Sequence, residues 1–139
     1  MTLVAWHPQS TLFRVLADHL GLFPNLPRVI VLQGGSLGIE AEAVLQIGTS
    51  RSRGETNGAP AVLMWAKTLA EPKVHIREHA GSGRLTNVWV TGGIDDLSVA
   101  VWDVDEGELY RLLDPARRDT EITLDQLAQY VATGVLEAL

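Results

Sequence analysis

Cysteine is absent from the 139 residues, which excludes disulfide bonds, thiolate metal ligands and thiol nucleophiles. Long apolar runs are absent too, because the longest, residues 29–32 and 61–66, fall far short of the roughly 20 residues that cross a membrane. The first residues carry no basic start and no cleavage site of small residues, so we expect no signal peptide. Together these absences predict a soluble, cytoplasmic protein without a membrane partner.

Basic residues are scarce. The chain has 11 Lys and Arg against 17 Asp and Glu, which gives a net charge of −6. Its basic pairs, Arg51/Arg53 and Arg117/Arg118, both stand beside acidic residues, whereas a phosphate backbone demands clustered positive charge. We therefore expect no nucleic-acid partner. The acidity favours solubility, and it would also speed the encounter with a basic protein.

The composition is otherwise that of an ordinary globular domain, with 46% hydrophobic and 20% charged residues. The length is close to the commonest domain size, and no internal repeat is present, so one domain spanning residues 1–139 is expected. The patterns described next predict an α+β fold. In it, an antiparallel sheet of six or seven strands, mostly a meander, carries an N-terminal and a C-terminal helix packed on one face.

Both ends of the chain carry helical patterns. Ser10 or Thr11 is a candidate cap for the first helix, and Gly21 stands where a helix would end. Near the C-terminus, Thr123 and Gln126 match a capping box. Apolar residues recur at helical spacing in both segments: Leu12, Phe13, Leu16, Ala17 and Leu20 in the first, and Leu124, Leu127, Ala128, Val131 and Val135 in the second.

The first strands are predicted from β-branched and alternating residues. Residues 29–32 form a β-branched run, and the glycine pair at 34–35 suits a two-residue hairpin turn. Residues 37–47 then alternate between apolar and mostly polar positions, as a half-buried strand does. Glu40 and Glu42 lie on the polar side of this strand, where we expect solvent rather than paired carboxylates for acid–base chemistry.

Two later segments allow alternatives. Residues 49–59 read as a polar loop. The apolar run at 60–70 fits a buried strand, which its neighbouring strands favour, or a helix that begins at Pro60. After a three-residue turn at 105–107, residues 108–113 are predicted as a strand, with a short helix as the alternative.

The segment between residues 74 and 104 reads as a meander whose register follows from its turns. A Gly-Ser-Gly turn would place Ile76 opposite Val88, and a four-residue turn beginning at Gly92 would place Val90 opposite Leu97. Seven aliphatic residues then share one side of the sheet, which the helices must cover: Val74, Ile76, Val88, Val90, Leu97, Val99 and Val101.

The opposite side of the meander mixes rings with polar groups. Aromatic side chains supply contact area there, and the polar neighbours supply orientation, so we predict a partner-binding or ligand-binding surface. The alternative is that the rings pack under a loop or the second helix, since tryptophan is usually well buried. The predicted site residues are His75, Arg77, His79, Asn87, Trp89, Trp102 and, across the last turn, Tyr110.

Catalytic and metal motifs fail on their local context. His75, Glu78 and His79 match the H-x-x-E-H string of inverted zinc peptidases, but zinc binding there requires a helix, and on a strand Glu78 points away from both histidines. Asp103 and Asp105 near a strand end are interpreted as turn residues rather than cation ligands. We therefore predict no catalytic residue, no metal and no cofactor.

The leading functional hypothesis is a noncatalytic protein-interaction domain of the immunity-protein, secretion-chaperone or regulatory-adaptor type, with a basic protein as a candidate partner. The alternative is a helix-grip-like protein that binds a small molecule, with acid–base chemistry from His75 or His79. An exposed edge strand would also support a homodimer.

Overall fold

The computed structural model describes residues 7–33, 39–47, 58–79 and 85–133. Within these ranges the chain forms one six-stranded mixed sheet, three α-helices and a short 3-10 helix, so the α+β class is confirmed. The elements, in chain order, are α1 Gln9–Leu22, β1 Val29–Gln33, β2 Ala43–Ile47, α2 Gly58–Ala66, β3 Ala70–Glu78, β4 Leu85–Ile94, β5 Leu97–Glu106, the 3-10 helix Glu108–Leu112, β6 Thr120–Ile122 and α3 Leu124–Thr133.

The strand order is β1-β2-β5-β4-β3-β6, and the pairing of β2 with β5 is parallel. The prediction of a purely antiparallel sheet is therefore wrong at this one pairing. The physical reason lies in β2, where Ala43, Val44 and Leu45 are all buried. A strand that is apolar on both sides is favoured in the interior of a sheet with both faces covered. Here Ala43 and Leu45 pack in the main core, and Val44 packs in a second, smaller cluster with Ala41 and Ala100.

The predicted register of the meander is right for its first hairpin and shifted in its second. Val74 lies opposite Val90 and Ile76 opposite Val88, as predicted. Between β4 and β5, however, Ile94 lies opposite Leu97, so the turn is tighter than the four residues expected. Val90 therefore faces Val101 instead of Leu97.

This shift moves the partner by four residues, an even number, so every side chain keeps its predicted side of the sheet. The seven aliphatic residues of the predicted inner side are all buried in the main hydrophobic core. Side chains from α1, α2 and α3 join the same core, and α2 contacts β4, β5 and α3. The opposite side of the meander carries the candidate site that is described below.

Residues 60–66 of the apolar run predicted as a strand at 60–70 lie in helix α2, so the helical alternative is correct for this part of the run, and Ala70 begins β3. Pro60 lies in the first turn of this helix, where the missing N–H costs nothing. Nearly all sides of this helix are buried, including Val62, Trp65 and Ala66. Such a helix has no polar stripe from which helical periodicity could be recognised in the sequence. Only Met64 among its last residues is exposed.

The predicted capping box is present at the N-terminus of α3, whereas the predictions for both ends of α1 are wrong. At α3 the capping box is present: the Thr123 N–H donates to Gln126 Oε1 at 2.8 Å, and the Gln126 N–H donates to Thr123 Oγ1 at 3.0 Å. Helix α1 begins after Pro8 without a side-chain cap, so neither Ser10 nor Thr11 caps it. It also runs through Gly21 to Leu22, because glycine tolerates helical backbone near a helix end.

Several turn predictions lie outside the described residues: the glycine pair at 34–35, the loop residues 49–57, the turn at 81–83 and Val135 of the terminal helix. The register of β1 and β2 nevertheless places Leu32 opposite Leu45, which a two-residue turn at 34–35 would not do. Strand β2 is also shorter than predicted, since residues 39–42 are not in it. The strand predicted at 108–113 is a 3-10 helix.

Candidate functional site

The side of the sheet turned away from the helices carries a row of residues in direct register. Glu121 of β6 lies opposite His75 of β3, His75 opposite Trp89 of β4, and Trp89 opposite Trp102 of β5. Because side chains that face each other across a sheet lie on the same side, these four share one surface. We call it the polar-aromatic face.

Trp89 is the buried floor of this face. It is only 5% exposed, although the helices of the described ranges contribute their side chains to the core on the other side of the sheet. Instead, the His75 ring stacks on the indole at 5.3 Å between centroids and 18° between planes, and the Arg77 guanidinium carbon lies 5.1 Å from the indole centroid. Neighbours on the same face therefore bury Trp89, which leaves Trp102, half-buried, as the indole that a ligand can reach.

Arg77 is held in place by Asp119, which lies just before β6. The Nε and Nη2 atoms of Arg77 both donate to the Asp119 carboxylate, the second at 3.0 Å. This two-point geometry fixes a guanidinium more firmly than a single bond does. The same bond lowers the pKa of Asp119 and raises the pKa of Arg77, so both stay charged across the neutral range.

His79 and Asn87 form the next pair along the face. His79 Nδ1 lies 2.8 Å from Asn87 Oδ1, and since an amide oxygen only accepts, Nδ1 is the protonated nitrogen of this ring. The Asn87 amide orients the imidazole, but it offers no negative charge to stabilise an imidazolium. The geometry is that of a positioned hydrogen-bonding group.

An apolar wall completes the face beside Trp102. Ala41, Val44 and Ala100 are buried here in a second, smaller hydrophobic cluster, with Ile39 and Trp102 packed against it. Residues 39–42 therefore lie over this part of the sheet instead of extending β2. The apolar side chains of this segment, Ile39 and Ala41, therefore provide apolar neighbours for the Trp102 ring.

These elements enclose a cavity of about 340 Å³, which we call the indole cavity. A second cavity of about 470 Å³ adjoins it, and we call this one the arginine cavity. The two share Arg77, Asn87 and Arg118. The indole cavity is further lined by Ile39, His79, Trp89 and Trp102, and the arginine cavity by Glu78, Leu113, Asp114, Pro115 and Arg117.

Five of the seven predicted site residues line the indole cavity: Arg77, His79, Asn87, Trp89 and Trp102. His75 lies behind Trp89 and supports it. Tyr110 is misplaced in the prediction, because residues 108–112 form the 3-10 helix and do not continue the sheet.

Sequence reasoning missed Ile39, Arg118 and Asp119. All three lie in connecting segments, where alternation gives no guide to position. The Arg117/Arg118 pair is visible in the sequence as one of two basic pairs, but nothing local places it beside the meander.

The histidines of the face do not form a catalytic arrangement with a neighbouring carboxylate. Burial lowers the pKa of His75, against smaller opposing effects of Glu121 and Asp119, so its ring is neutral at pH 7. Its Nε2 lies 3.5 Å from Thr91 Oγ1. Within the described ranges, no group of three or more histidine and acidic side chains is placed to hold a metal ion.

Two acidic predictions are corrected by burial. Glu42, expected on a solvated strand face, is 3% exposed and pairs with His7, whose Nδ1 lies 2.7 Å from Glu42 Oε2. Asp103 and Asp105, expected at a turn, lie within β5 and are fully buried. Each of these carboxylates has a hydrogen-bonding role inside the protein, so none of them belongs to the polar-aromatic face.

Comparison with known proteins gives no relative, because no family model, no curated protein and no solved structure matches the chain. No helix in the described ranges has the length and apolar character needed to cross a membrane.

Proposed function

We propose that the chain is a noncatalytic protein-interaction domain and that its partner binds on the polar-aromatic face. The observation that carries this proposal is the indole cavity, where the half-buried Trp102 and the exposed Arg118 line one concave surface. Tryptophan and arginine are the residue types most enriched among the anchors of protein interfaces. A surface of this kind would serve an immunity protein, a secretion chaperone or a regulatory adaptor.

The rigidity of the face supports binding. The Trp89 indole packs against both the His75 ring and the Arg77 guanidinium. The Asp119 carboxylate holds Arg77 by two hydrogen bonds. A surface that is already ordered loses little conformational entropy when a partner arrives. The partner would therefore meet a preformed floor and needs to order only its own segment.

The chemistry of the face supports a noncatalytic role. The hydrogen-bonding partner of His79 on this face is the amide of Asn87, whereas the histidine of a catalytic triad is oriented by a carboxylate. His75 is half-buried between its neighbours and does not line either cavity. The Thr91 hydroxyl lies 3.5 Å from His75 Nε2, which is the outer limit of a hydrogen bond, and Thr91 does not line either cavity.

A second candidate function, small-molecule binding, is favoured by one observation. The volume of about 340 Å³ falls within the roughly 300–1,000 Å³ of ligand pockets. Native mass spectrometry of the purified protein tests it, since a bound small molecule adds a discrete mass that Trp102→Ala removes.

Site-specific photo-crosslinking in cells that express the chain tests the main proposal. A photo-reactive residue replaces Arg117, which is exposed and lines the arginine cavity, or, as a control, Arg14, which is exposed on α1, so that Trp102 and Arg118 are both kept. We expect one discrete polypeptide adduct from position 117, none of that mass from position 14, and loss of the adduct when Trp102→Ala is added. Identical adducts from both positions, or none from position 117, would contradict the proposal.

A further inference from the structure

We infer that the partner presents an aromatic side chain next to a carboxylate, with the ring in the indole cavity and the carboxylate at Arg118. This inference rests on the proposed function, and it names the chemistry of the segment that is bound. It also departs from the expectation of a basic partner that the net charge of −6 suggests. The charged side chains that line the two cavities favour a partner segment with a carboxylate instead.

The charge argument compares the three arginines of the arginine cavity. Arg77 is committed to Asp119 by two hydrogen bonds. Arg117 has Asp114 nearby, with Nε and Oδ2 3.7 Å apart. Within the described part of the chain, Arg118 alone of the three makes no direct ion pair, although its charge helps to lower the pKa of Asp119, and its side chain is exposed. An exposed guanidinium that lines both cavities and makes no direct ion pair is the group an incoming carboxylate would meet.

The ring argument concerns the other end of the indole cavity. Trp102 and Ile39 pack together there on the small cluster of Ala41, Val44 and Ala100. The half-buried indole presents a flat apolar surface, on which another aromatic ring stacks with offset geometry. A lysine or arginine of a basic partner would instead bring its charge close to Arg118, whose exposed guanidinium makes no direct ion pair in the described ranges, and like-charge repulsion disfavours this approach.

The connection between the two cavities sets the spacing of the ligand. Both are lined by Arg77, Asn87 and Arg118, so the second begins where the first ends. A ring and a carboxylate on alternate residues of one extended segment can occupy them together, because alternate side chains of an extended chain point to the same side. Phe-Gly-Asp is the simplest sequence of this type.

The test uses two blocked peptides, acetyl-Phe-Gly-Asp-Gly-amide and its counterpart with Asn in place of Asp, titrated into the ¹⁵N-labelled full chain. Each of the four tryptophans carries one indole N–H, and the signal that Trp102→Phe removes is assigned to Trp102. We expect the Asp peptide to shift the Trp102 signal and the Asn peptide to bind about fivefold more weakly, as for loss of an exposed ion pair. Arg118→Gln should abolish the difference, and Arg14→Gln should preserve it.

Two results would overturn the inference and leave the proposed function intact. Equal binding of both peptides would remove the carboxylate from the recognised chemistry. No shift from either peptide, together with a discrete adduct from position 117, would mean that the face binds a partner of different chemistry. If naphthalene-2-carboxylate shifts the Trp102 signal while neither peptide does, a small molecule is the ligand, and the inference fails together with the proposed function.

Discussion

The guanidinium of Arg77 lies over the indole of Trp89, with 5.1 Å between the guanidinium carbon and the ring centroid. His75 stacks on the same indole. Trp89 is thereby enclosed by residues of its own face and is nearly inaccessible, whereas its cross-strand neighbour Trp102 is half-buried. The two tryptophans therefore have different roles: Trp89 holds the face together, and Trp102 makes the contact.

This difference predicts opposite outcomes for two matched substitutions. Trp89→Ala should lower the free energy of unfolding by about 3 kcal/mol, because it opens a cavity between His75 and Arg77. Trp102→Ala should cost less stability and should abolish binding. Urea denaturation with far-UV circular dichroism measures the first effect, and the crosslink at position 117 measures the second. Equal destabilisation by both variants would mean that Trp102 is also a core residue.

A second prediction concerns the buried Tyr130, whose hydroxyl donates to Asp105 Oδ2 at 2.6 Å. The other oxygen of this carboxylate accepts from the Ala59 N–H at 2.9 Å, in the first turn of α2. Asp105 thus ties α3 and the N-terminus of α2 to the end of β5, and a carboxylate there suits the positive end of the helix dipole. Tyr130→Phe should lower the free energy of unfolding by about 1–3 kcal/mol, since it leaves a buried oxygen without its donor.

The control for this variant is Tyr110→Phe at the only other tyrosine. Tyr110 is half-exposed on the 3-10 helix, so water replaces any bond its hydroxyl loses. We expect a much smaller change in the chemical-denaturation midpoint than for Tyr130→Phe. Comparable midpoints for the two variants would show that the Asp105 bond contributes nothing measurable.

A third prediction follows from the titration of Asp105. Burial raises the pKa of this carboxyl above its ordinary 3.8, and the bonds from Tyr130 and Ala59 oppose the rise only in part. Because the folded-state pKa exceeds the unfolded one, the stabilisation linked to this proton is complete below pH 3.8 and is lost as the pH rises through the folded value.

The variant Asp105→Asn cannot titrate at this position, and every other carboxylate is the same in both proteins. The free energy of unfolding of the wild type, minus that of the variant, should therefore fall as the pH rises from about 3.8. Urea denaturation at a series of pH values gives this difference. Parallel curves for the two proteins would show that the Asp105 pKa is not raised by folding.

The meander explains why the polar-aromatic face could be predicted from sequence. The register of β3 and β4 depends on one short connection, and the predicted pairing of Ile76 with Val88 is observed. The error at the next turn moved the register by an even number of residues, so Trp102 stayed on the same side as Trp89. Alternation predicts the side of the sheet on which each side chain lies, and this prediction stays right when the error in register is an even number of residues.

The features of the fold and of the site that could not be predicted depend on contacts between segments that are distant in sequence. Ala43 of β2 pairs with Val99 of β5 in parallel, and no local turn signals such a pairing. Arg118 and Ile39 reach the cavities from connecting segments that have no periodicity. The accessibility of Trp89 was also beyond prediction, because it depends on how closely Arg77 and His75 pack on the ring and not on the side of the strand.

A fourth prediction concerns acid conditions and the ring of His75. Burial lowers the pKa of His75 below its ordinary 6.5, and Lys73 lowers it further, whereas Glu121 and Asp119 raise it without cancelling the effect of burial. The folded-state pKa is thus below the unfolded one. The stability linked to the neutral ring is complete above pH 6.5 and is lost as the pH falls through the folded value, since the unfolded chain takes up the proton first.

Comparison of the wild type with His75→Gln isolates this effect, because His19, whose pKa burial also lowers, is present in both proteins. The wild-type chain should lose stability relative to the variant as the pH falls below 6.5. An NMR titration of the His75 ring should give a midpoint below that value. The indole signal of Trp89 should shift with the same midpoint, because the charge develops on the ring that stacks against it. A midpoint at or above 6.5 would mean that His75 is better solvated than its packing between Trp89 and β6 allows.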